Sequence, residues 1–160
     1  MILTVIGIGL IGGSMAMELK QKKFCTKVIG VDSNINHQKI ALNKKIVDEI
    51  HSLEQAIKMS DIVLISIPVD NTSKVLKEVL DLVDKQIVLD VGSIKEKVTH
   101  HVNSHPKRKN FVATHPIAGT EFSGPKAAHL GLFKGKINII CDKEESSKEA
   151  VKKVSELYHI

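Results

Sequence analysis

Arginine and aromatic residues are nearly missing from this 160-residue sequence. Arg108 is the single arginine among 23 basic residues, and aromatic residues make up 3% of the chain. Proteins that bind nucleic acids use arginine to contact phosphates and base edges, and aromatic side chains to stack on bases. The net charge of +5 reflects lysines scattered along the chain, which is typical of a solvated surface. The composition therefore argues against nucleic-acid binding.

Long apolar runs and paired cysteines are missing as well. No apolar run in the sequence approaches the roughly 18 residues of a membrane-spanning helix. Cys25 and Cys141 lie far apart, without the CxxC or CxxH spacing of a structural zinc site, and this usage suits a reducing compartment. Residues 1–6 are apolar but have no basic segment before them, so they predict a strand and not a signal peptide. We expect a soluble, cytoplasmic protein with no membrane contact and no metal site.

Short runs rich in β-branched residues alternate along the chain with longer stretches of helical spacing. The predicted strands cover residues 2–6, 27–31, 62–67, 86–90, 111–114 and 137–141. The predicted helices cover residues 10–22, 34–44, 53–59, 72–83, 94–104 and 146–158. This alternation is typical of βαβ units. It predicts an α/β fold of the Rossmann type, with a doubly wound, mostly parallel sheet in the strand order 3-2-1-4-5-6.

A glycine-rich turn follows the first predicted strand. Residues 7–14 match the pattern GxGxxG and open a helix, and Asp32 ends the second predicted strand. Gly7 would allow the tight turn, Gly9 would let a pyrophosphate approach the backbone, and Gly12 would permit close packing of helix and strand. The phosphates would bind N–H groups at the helix N-terminus. The alternative is a structural glycine turn with Asp32 as a helix cap.

Asp32 indicates which dinucleotide the turn would bind. Its carboxylate would accept a hydrogen bond from the 2′-hydroxyl of the adenosine ribose and repel a 2′-phosphate, so NAD is the expected cofactor. Ser33 stands where NADP enzymes often have an arginine. Residues 66–68 end the third predicted strand and could contact the cofactor, a plain strand end at Pro68 being the alternative. The predicted NAD-binding residues are Gly7, Ile8, Gly9, Leu10, Ile11, Gly12, Asp32, Ser33, Ser66, Ile67, Pro68 and Ser93.

His115 is the strongest candidate proton acceptor among the eight histidines. Hydride-transfer enzymes leave the redox chemistry to the nicotinamide and supply a group, commonly histidine, that accepts or donates the hydroxyl proton. His115 ends the fifth predicted strand, at the edge where α/β sheets bind ligands. A structural histidine is the alternative. His129 lies in a glycine-rich segment without an assigned role, and the other histidines lie in polar settings typical of solvated side chains.

Ser93 and Glu121 complete the predicted catalytic set with His115. Ser93 follows the fourth predicted strand and could hydrogen-bond a substrate hydroxyl or the nicotinamide, or cap the next helix. Glu121 lies within residues 119–135, a stretch without a clear period that we expect to be a functional loop, a simple connector being the alternative. Glu121 could orient a substrate or close the loop, or it could be a solvated carboxylate.

Residues 7–14, 90–95 and 115–125 together resemble the prephenate dehydrogenase family, the TyrA-type enzymes of tyrosine biosynthesis. The motifs stand in the family's order and at its spacing. The resemblance implies that residues 1–160 are the NAD-binding N-terminal domain of an enzyme that oxidatively decarboxylates prephenate to 4-hydroxyphenylpyruvate. It also implies that His115 accepts a hydrogen bond or proton from the ring hydroxyl, that Ser93 bonds this hydroxyl and the nicotinamide side, and that Glu121 belongs to a gating loop.

One part of the family pattern is missing from this sequence. Family members continue into a helical C-terminal domain that forms a homodimer and supplies an arginine for the prephenate carboxylate. Here the last predicted helix has no capping glycine or strand after it, and Arg108 lies in a lysine-rich run that we expect to be solvated. We therefore expect a fragment that binds NAD and turns over prephenate poorly on its own.

Three other interpretations stay open at this point. The chain could belong to arogenate dehydrogenase, whose substrate differs in a side-chain amine that this domain does not contact. It could be another Rossmann dehydrogenase that acts on a small hydroxy acid. It could also be a non-catalytic module that binds or senses NAD, since fold alone does not establish an activity.

Overall fold

The computed structural model describes residues 1–159, in which seven strands form one sheet with helices on both faces. The strands are β1 (Ile2–Ile6), β2 (Lys27–Val31), β3 (Glu49–Ile50), β4 (Ile62–Ile65), β5 (Ile87–Asp90), β6 (Phe111–Pro116) and β7 (Asn138–Cys141). The helices are α1 (Leu10–Gln21), α2 (Ile35–Asn43), α3 (Leu53–Met59), α4 (Val69–Leu82), α5 (Glu96–Val102) and α6 (Lys148–Tyr158). The predicted Rossmann-type α/β fold is confirmed.

The strand order in the sheet is β3-β2-β1-β4-β5-β6-β7. All neighbours pair in parallel except β7, which runs antiparallel to β6. The predicted order 3-2-1-4-5-6 is confirmed for β1 to β6, and β7 extends it. However, the third strand is β3, whose two residues are too short to show a period in the sequence. The strand predicted at residues 62–67 was counted as the third and placed beside the second; it is instead β4, and it lies beside β1.

Alternation along the strands divides the core into two layers. Leu3 and Val5 of β1 pack in one layer with residues of α1, α2 and α6. Ile6 packs in the other layer with residues of α3, α4 and α5. Both faces of the central strands are buried, which explains why these strands have apolar runs rather than alternating polar residues. Among the helices of residues 1–159, none combines the length and apolar character that crossing a bilayer requires.

Side chains at the helix starts explain where several helices begin. Asn34 caps α2, Ser52 caps α3 and Ser147 caps α6, each accepting hydrogen bonds from backbone N–H groups of the first turn. α4 begins directly after Pro68, before the predicted residue 72, because the fixed φ of proline suits a helix start. α1 begins after Gly9, which has no side chain to act as a cap.

Arg108 is buried, so the prediction that it is solvated was wrong. Its residue surface is 4% exposed, and its Nη1 donates a hydrogen bond to the carbonyl oxygen of Phe111 at 2.9 Å. The guanidinium carbon lies 5.2 Å from the centroid of the Phe111 ring. This ring and the carbonyl replace part of the water around the cation. Burial lowers the pKa of the guanidinium, while the acidic residues Glu145 and Asp142 oppose that shift.

Candidate active site

The carboxyl ends of the parallel strands meet at one edge of the sheet, where the predicted site residues lie. β2 lies on one side of β1 and β4 lies on the other, so the direction of strand addition reverses at β1. In open α/β sheets, ligands bind in the crevice outside the carboxyl ends at such a reversal. The candidate site is therefore at the ends of β1 and β4, beside the glycine turn.

The glycines of this turn have different environments. Gly7 has a φ of +89°, and a Cβ atom added there would lie 2.3 Å from the carbonyl oxygen of Ser66. A Cβ atom at Gly12 would lie 2.4 Å from the carbonyl oxygen of Gly7. These two positions accept only glycine without a shift of the backbone. In contrast, a Cβ atom at Gly9 would have no heavy atom within 4 Å, so the backbone of Gly9 is open to a ligand.

The N-terminus of α1 is suited to bind an anion. Its N-cap is Gly9, no side chain within residues 1–159 caps it, and its first turn has no acidic residue. The first N–H groups of a helix have no partner within the helix, and the helix dipole favours negative charge near them. The N-terminus of α1 and the open backbone of Gly9 together can therefore bind phosphate oxygens.

Asp32 follows β2, and its carboxylate is held by two backbone donors. Its Oδ2 accepts a hydrogen bond from the N–H of Ile8 at 2.9 Å, and its Oδ1 accepts one from the N–H of Asn34 at 2.8 Å. The Nδ1 of His37 lies 3.4 Å from Oδ2. Because Ile8 belongs to the glycine turn, the acid and the turn have fixed positions relative to each other. Ser33, the next residue, is exposed.

A cleft of about 270 Å³ lies between the glycine turn and the ends of β4 and β5. Its lining comprises residues 9–11, 66–67, 91–92 and 122–124. A larger cavity of about 520 Å³ lies between α1 and α6, but none of the predicted site residues lines it. The smaller cleft is the candidate ligand site, because it contains Gly9 and the start of α1. No group of metal-binding side chains large enough to hold an ion occurs within residues 1–159.

His115 is the next-to-last residue of β6 and is half-buried. Its Nδ1 atom is buried and has no hydrogen-bond partner within the described part of the chain. Buried polar atoms nearly always have a partner, so a nitrogen without one is a candidate to bind a ligand. His115 lies at the same sheet edge as the cleft but is not part of its lining.

Ser93 and Glu121 are exposed and lie outside the lining of the cleft. α5 begins at Glu96 with Lys95 as its N-cap residue, so Ser93 does not cap this helix. Within residues 1–159, neither Ser93 nor Glu121 has an ion pair or side-chain hydrogen bond. Both side chains are therefore free to contact a ligand, but their positions do not indicate which ligand they would contact. Pro68 is exposed and also lies outside the cleft.

A buried polar network joins the ends of β5 and β6 beside this site. Asp90 is fully buried and forms an ion pair with Lys95, whose side chain is 11% exposed. The N–H of Gly92 donates to Oδ2 of Asp90 at 3.0 Å, and the hydroxyl of Thr114 donates to the backbone carbonyl oxygen of Asp90 at 2.5 Å. The hydroxyls of Thr114 and Tyr158 lie 2.6 Å apart, which connects α6 to the network. The network therefore links the loop that contains Ser93 to the strand that contains His115.

Burial dominates the electrostatics of this network. It raises the pKa of the Asp90 carboxyl, while the charge of Lys95 and hydrogen bonds from Lys95, Gly92 and Thr114 oppose the shift. It also raises the pKa of the Tyr158 hydroxyl. Asp90 and Lys95 belong to the motif of residues 90–95, but the sequence alone predicted no role for either residue. An aspartate at the end of an apolar strand, followed by a lysine within the next turn, was the available signal.

Comparison with known proteins identifies relatives along nearly the whole chain. The family model "Prephenate dehydrogenase, nucleotide-binding domain" matches residues 15–159. The prephenate dehydrogenase of Bacillus subtilis is 32% identical over 155 residues, which cover 94% of this chain and 42% of that protein. The match to the family model begins after the glycine turn, so the turn and its geometry are observations independent of that match.

Solved structures share the fold over the same extent. The crystal structure of prephenate dehydrogenase from Aquifex aeolicus superposes with a TM-score of 0.90 at 31% identity, covering 98% of this chain and 57% of that one. A second structure of the Aquifex aeolicus enzyme, in complex with hydroxyphenyl propionate and NAD+, has a TM-score of 0.90 at 30% identity and covers 99% of this chain and 56% of that one. This chain thus spans about half the length of the proteins that it matches.

Proposed function

The chain belongs to the prephenate dehydrogenase family and corresponds to its nucleotide-binding domain, and from this premise we propose that it binds NAD+ for the oxidative decarboxylation of prephenate to 4-hydroxyphenylpyruvate. The observation on which the proposal depends is that three groups lie at the ends of strands that meet at one edge of the sheet: the open Gly9 backbone, the Asp32 carboxylate and the Nδ1 of His115, which has no partner within residues 1–159. These are the groups that phosphate binding, ribose binding and proton handling require.

The residues at the glycine turn fit a dinucleotide. The N–H groups at the start of α1, in residues 10–12, would bind the pyrophosphate, and Gly9 leaves space for it. Asp32 would accept a hydrogen bond from the ribose 2′-hydroxyl and would repel the 2′-phosphate of NADP+. Residues 66–68 would contact the cofactor from the end of β4. When bound, NAD+ supplies the hydride acceptor for the reaction.

His115 would accept the hydrogen bond, and then the proton, from the hydroxyl on the substrate ring. Its Nδ1 is buried without a partner among residues 1–159, so such a bond would replace none that these residues form. Ser93 would donate a hydrogen bond to the same hydroxyl or to the nicotinamide side. Glu121, on the exposed segment after β6, would orient the substrate as this segment closes. Ring aromatisation provides the driving force for loss of carbon dioxide.

The substrate carboxylates need a cationic partner, and no lysine or arginine of the described residues lines the cleft. The single arginine of the chain, Arg108, is buried at the start of β6, whereas the candidate site lies at the other end of the sheet. A bidentate guanidinium is the usual partner of a carboxylate. We therefore infer that the isolated chain turns over prephenate poorly, and that a helical domain beyond this one supplies the arginine and the homodimer contact. A cytoplasmic location agrees with two free cysteines.

NAD+ binding is the first test of the proposal. Isothermal titration of the 160-residue chain with NAD+ and NADP+ should give binding of NAD+ and weaker binding of NADP+. Asp32→Asn should reduce that preference, because the charge that repels the 2′-phosphate is removed. A chain that folds but binds neither dinucleotide would contradict the proposed function.

Turnover is the second test. NADH formation from prephenate, with arogenate in parallel, should be slow and should fall by about 100-fold or more in His115→Asn, the usual loss for an acid–base group. NAD+ affinity should stay within about twofold of the unchanged protein, because His115 does not line the cleft. His129→Asn is the matched control, since His129 is exposed and, within residues 1–159, its ring bonds only the neighbouring carbonyl of Leu130. A rate of NADH formation in His115→Asn equal to that of the unchanged protein would show that His115 takes no part in the reaction.

A further inference from the structure

The cleft has an outer wall formed by residues 122–124, opposite the glycine turn. These residues line the same 270 Å³ space as Gly9 and the start of α1. Gly124 has a φ of +76°, and a Cβ atom added there would lie 3.6 Å from the Nε2 of His37. Since His37 also lies beside Asp32, the wall extends from the cleft toward the acid at the end of β2.

The position of this wall is set by the segment that follows it. The N–H of His129 donates to the hydroxyl of Ser14 at 3.0 Å, and the ammonium of Lys44 donates to the carbonyl oxygen of Lys126 at 2.8 Å. Ala128 is buried against Gly13 of α1, where an added Cβ atom would come within 2.8 Å of the alanine methyl group. Residues 126–129 are thus attached to α1 and α2, so residues 122–124 are held across the cleft from the glycine turn.

Phe122 is the apolar side chain that this wall presents at the cleft. It is 66% exposed, whereas the other aromatic residues within the described chain are buried or half-buried. An exposed apolar side chain is ordinary at a protein surface when it stands alone. Ile137, which is 68% exposed and lines neither cavity, is an example. Phe122 differs because it lines a cleft whose opposite wall is suited to bind phosphates.

We propose that Phe122 is a dinucleotide-contacting residue, which packs its ring on NAD+ where the cofactor crosses the glycine turn and shields it from water. This inference rests on the proposed function. The ring would bury apolar surface that the unliganded chain leaves exposed, and a planar ring can also stack on a ribose or nicotinamide face. The contact contributes to the affinity for NAD+ and does not involve the acid–base residues.

The test compares Phe122→Ala with Ile137→Ala, which removes an equally exposed apolar side chain outside the cleft. NAD+ affinity, measured by isothermal titration, should fall by about tenfold in Phe122→Ala and by less than about twofold in Ile137→Ala. Phe122→Tyr should restore the affinity, because it restores the ring. Thermal unfolding should give similar midpoints for all three variants, since neither side chain is buried.

Amide hydrogen exchange provides a second readout. NAD+ should slow exchange in residues 119–124 of the unchanged protein, and this protection should be reduced in Phe122→Ala. Equal NAD+ affinities for Phe122→Ala, Ile137→Ala and the unchanged protein would overturn this inference while NAD+ binding itself stands. Absence of NAD+ binding to the unchanged protein would instead overturn the proposed function on which the inference rests.

Discussion

Replacing Lys95 by methionine removes the only cation that forms an ion pair with Asp90 within residues 1–159. Asp90 has a fully buried side chain, and that of Lys95 is 11% exposed. Methionine has a similar length and no charge, so the variant keeps most of the packing but leaves a buried carboxylate without a partner cation. We expect a loss of about 3–4 kcal/mol in the free energy of unfolding at pH 7, within the range for breaking one side of a buried pair.

The pH dependence of this loss follows from the raised pKa of Asp90. The variant can avoid the buried charge by keeping the carboxyl protonated. Each pH unit above the ordinary value of 3.8 then costs about 1.4 kcal/mol relative to the unfolded chain. Protonation costs about 4 kcal/mol at pH 7 and about 2 kcal/mol at pH 5, which are upper limits on the penalty of the unpaired charge.

The raised pKa of Asp90 in the folded state determines the direction in which stability changes with pH. The folded chain binds the proton more tightly than the unfolded chain, so stability falls as pH rises above 3.8 toward the folded pKa. Removal of Lys95 raises that pKa further and extends the fall to higher pH. The loss caused by Lys95→Met should therefore be about 3–4 kcal/mol at pH 7 and at most about 2 kcal/mol at pH 5.

Urea unfolding followed by circular dichroism at the two pH values measures this difference. Lys97→Met is the control, because Lys97 is exposed in the first turn of α5, two residues after Lys95, and it should change stability by less than about 0.5 kcal/mol. The double variant Lys95→Met with Asp90→Asn should recover more than half of the loss at pH 7, since the buried charge is gone. A loss that is equal at pH 5 and pH 7, or that the double variant does not reduce, would refute the reasoning.

The further predictions concern four single positions. Gly7→Ala should lower the free energy of unfolding by about 2 kcal/mol or more in urea unfolding, because its Cβ would meet a backbone carbonyl at positive φ. Gly9→Ala should leave stability within about 1 kcal/mol but weaken NAD+ binding, measured by calorimetry, by about tenfold; equal effects at the two glycines would contradict their assigned roles. Arg108→Met should change stability by less than about 1 kcal/mol, and Arg108→Ala should cost about 2–3 kcal/mol, because two guanidinium nitrogens have no partner within residues 1–159 and the packed stem matters more than the charge. Tyr158→Phe should cost about 1 kcal/mol in thermal unfolding, the value of its hydrogen bond to Thr114, and an unchanged midpoint would show that this bond contributes nothing.

Most of the fold was predictable from local pattern. β1 and β2 have the predicted bounds, because each is an apolar run bounded by turn residues. The glycine turn was predictable for the same reason: a strand, a GxGxxG pattern and a helix are adjacent in sequence, so their meaning does not depend on distant contacts. By contrast, β3 was missed, because two residues show no period and pair only where the sheet already provides an edge.

Residues far apart in sequence account for what only the tertiary structure decided. Arg108 stands in a lysine-rich run that indicates a solvated surface, and its burial depends on how the chain packs at the start of β6. The ion pair of Asp90 is local, but its burial beneath Thr114 and Tyr158 is not. The position of Phe122 depends on anchors between residues 126–129 and two helices. Local propensity thus determined the succession of strands and helices along the chain and the glycine turn. Burial and long-range contacts, which depend on every neighbouring element at once, decided the electrostatics of Asp90 and Arg108 and the position of Phe122 at the cleft.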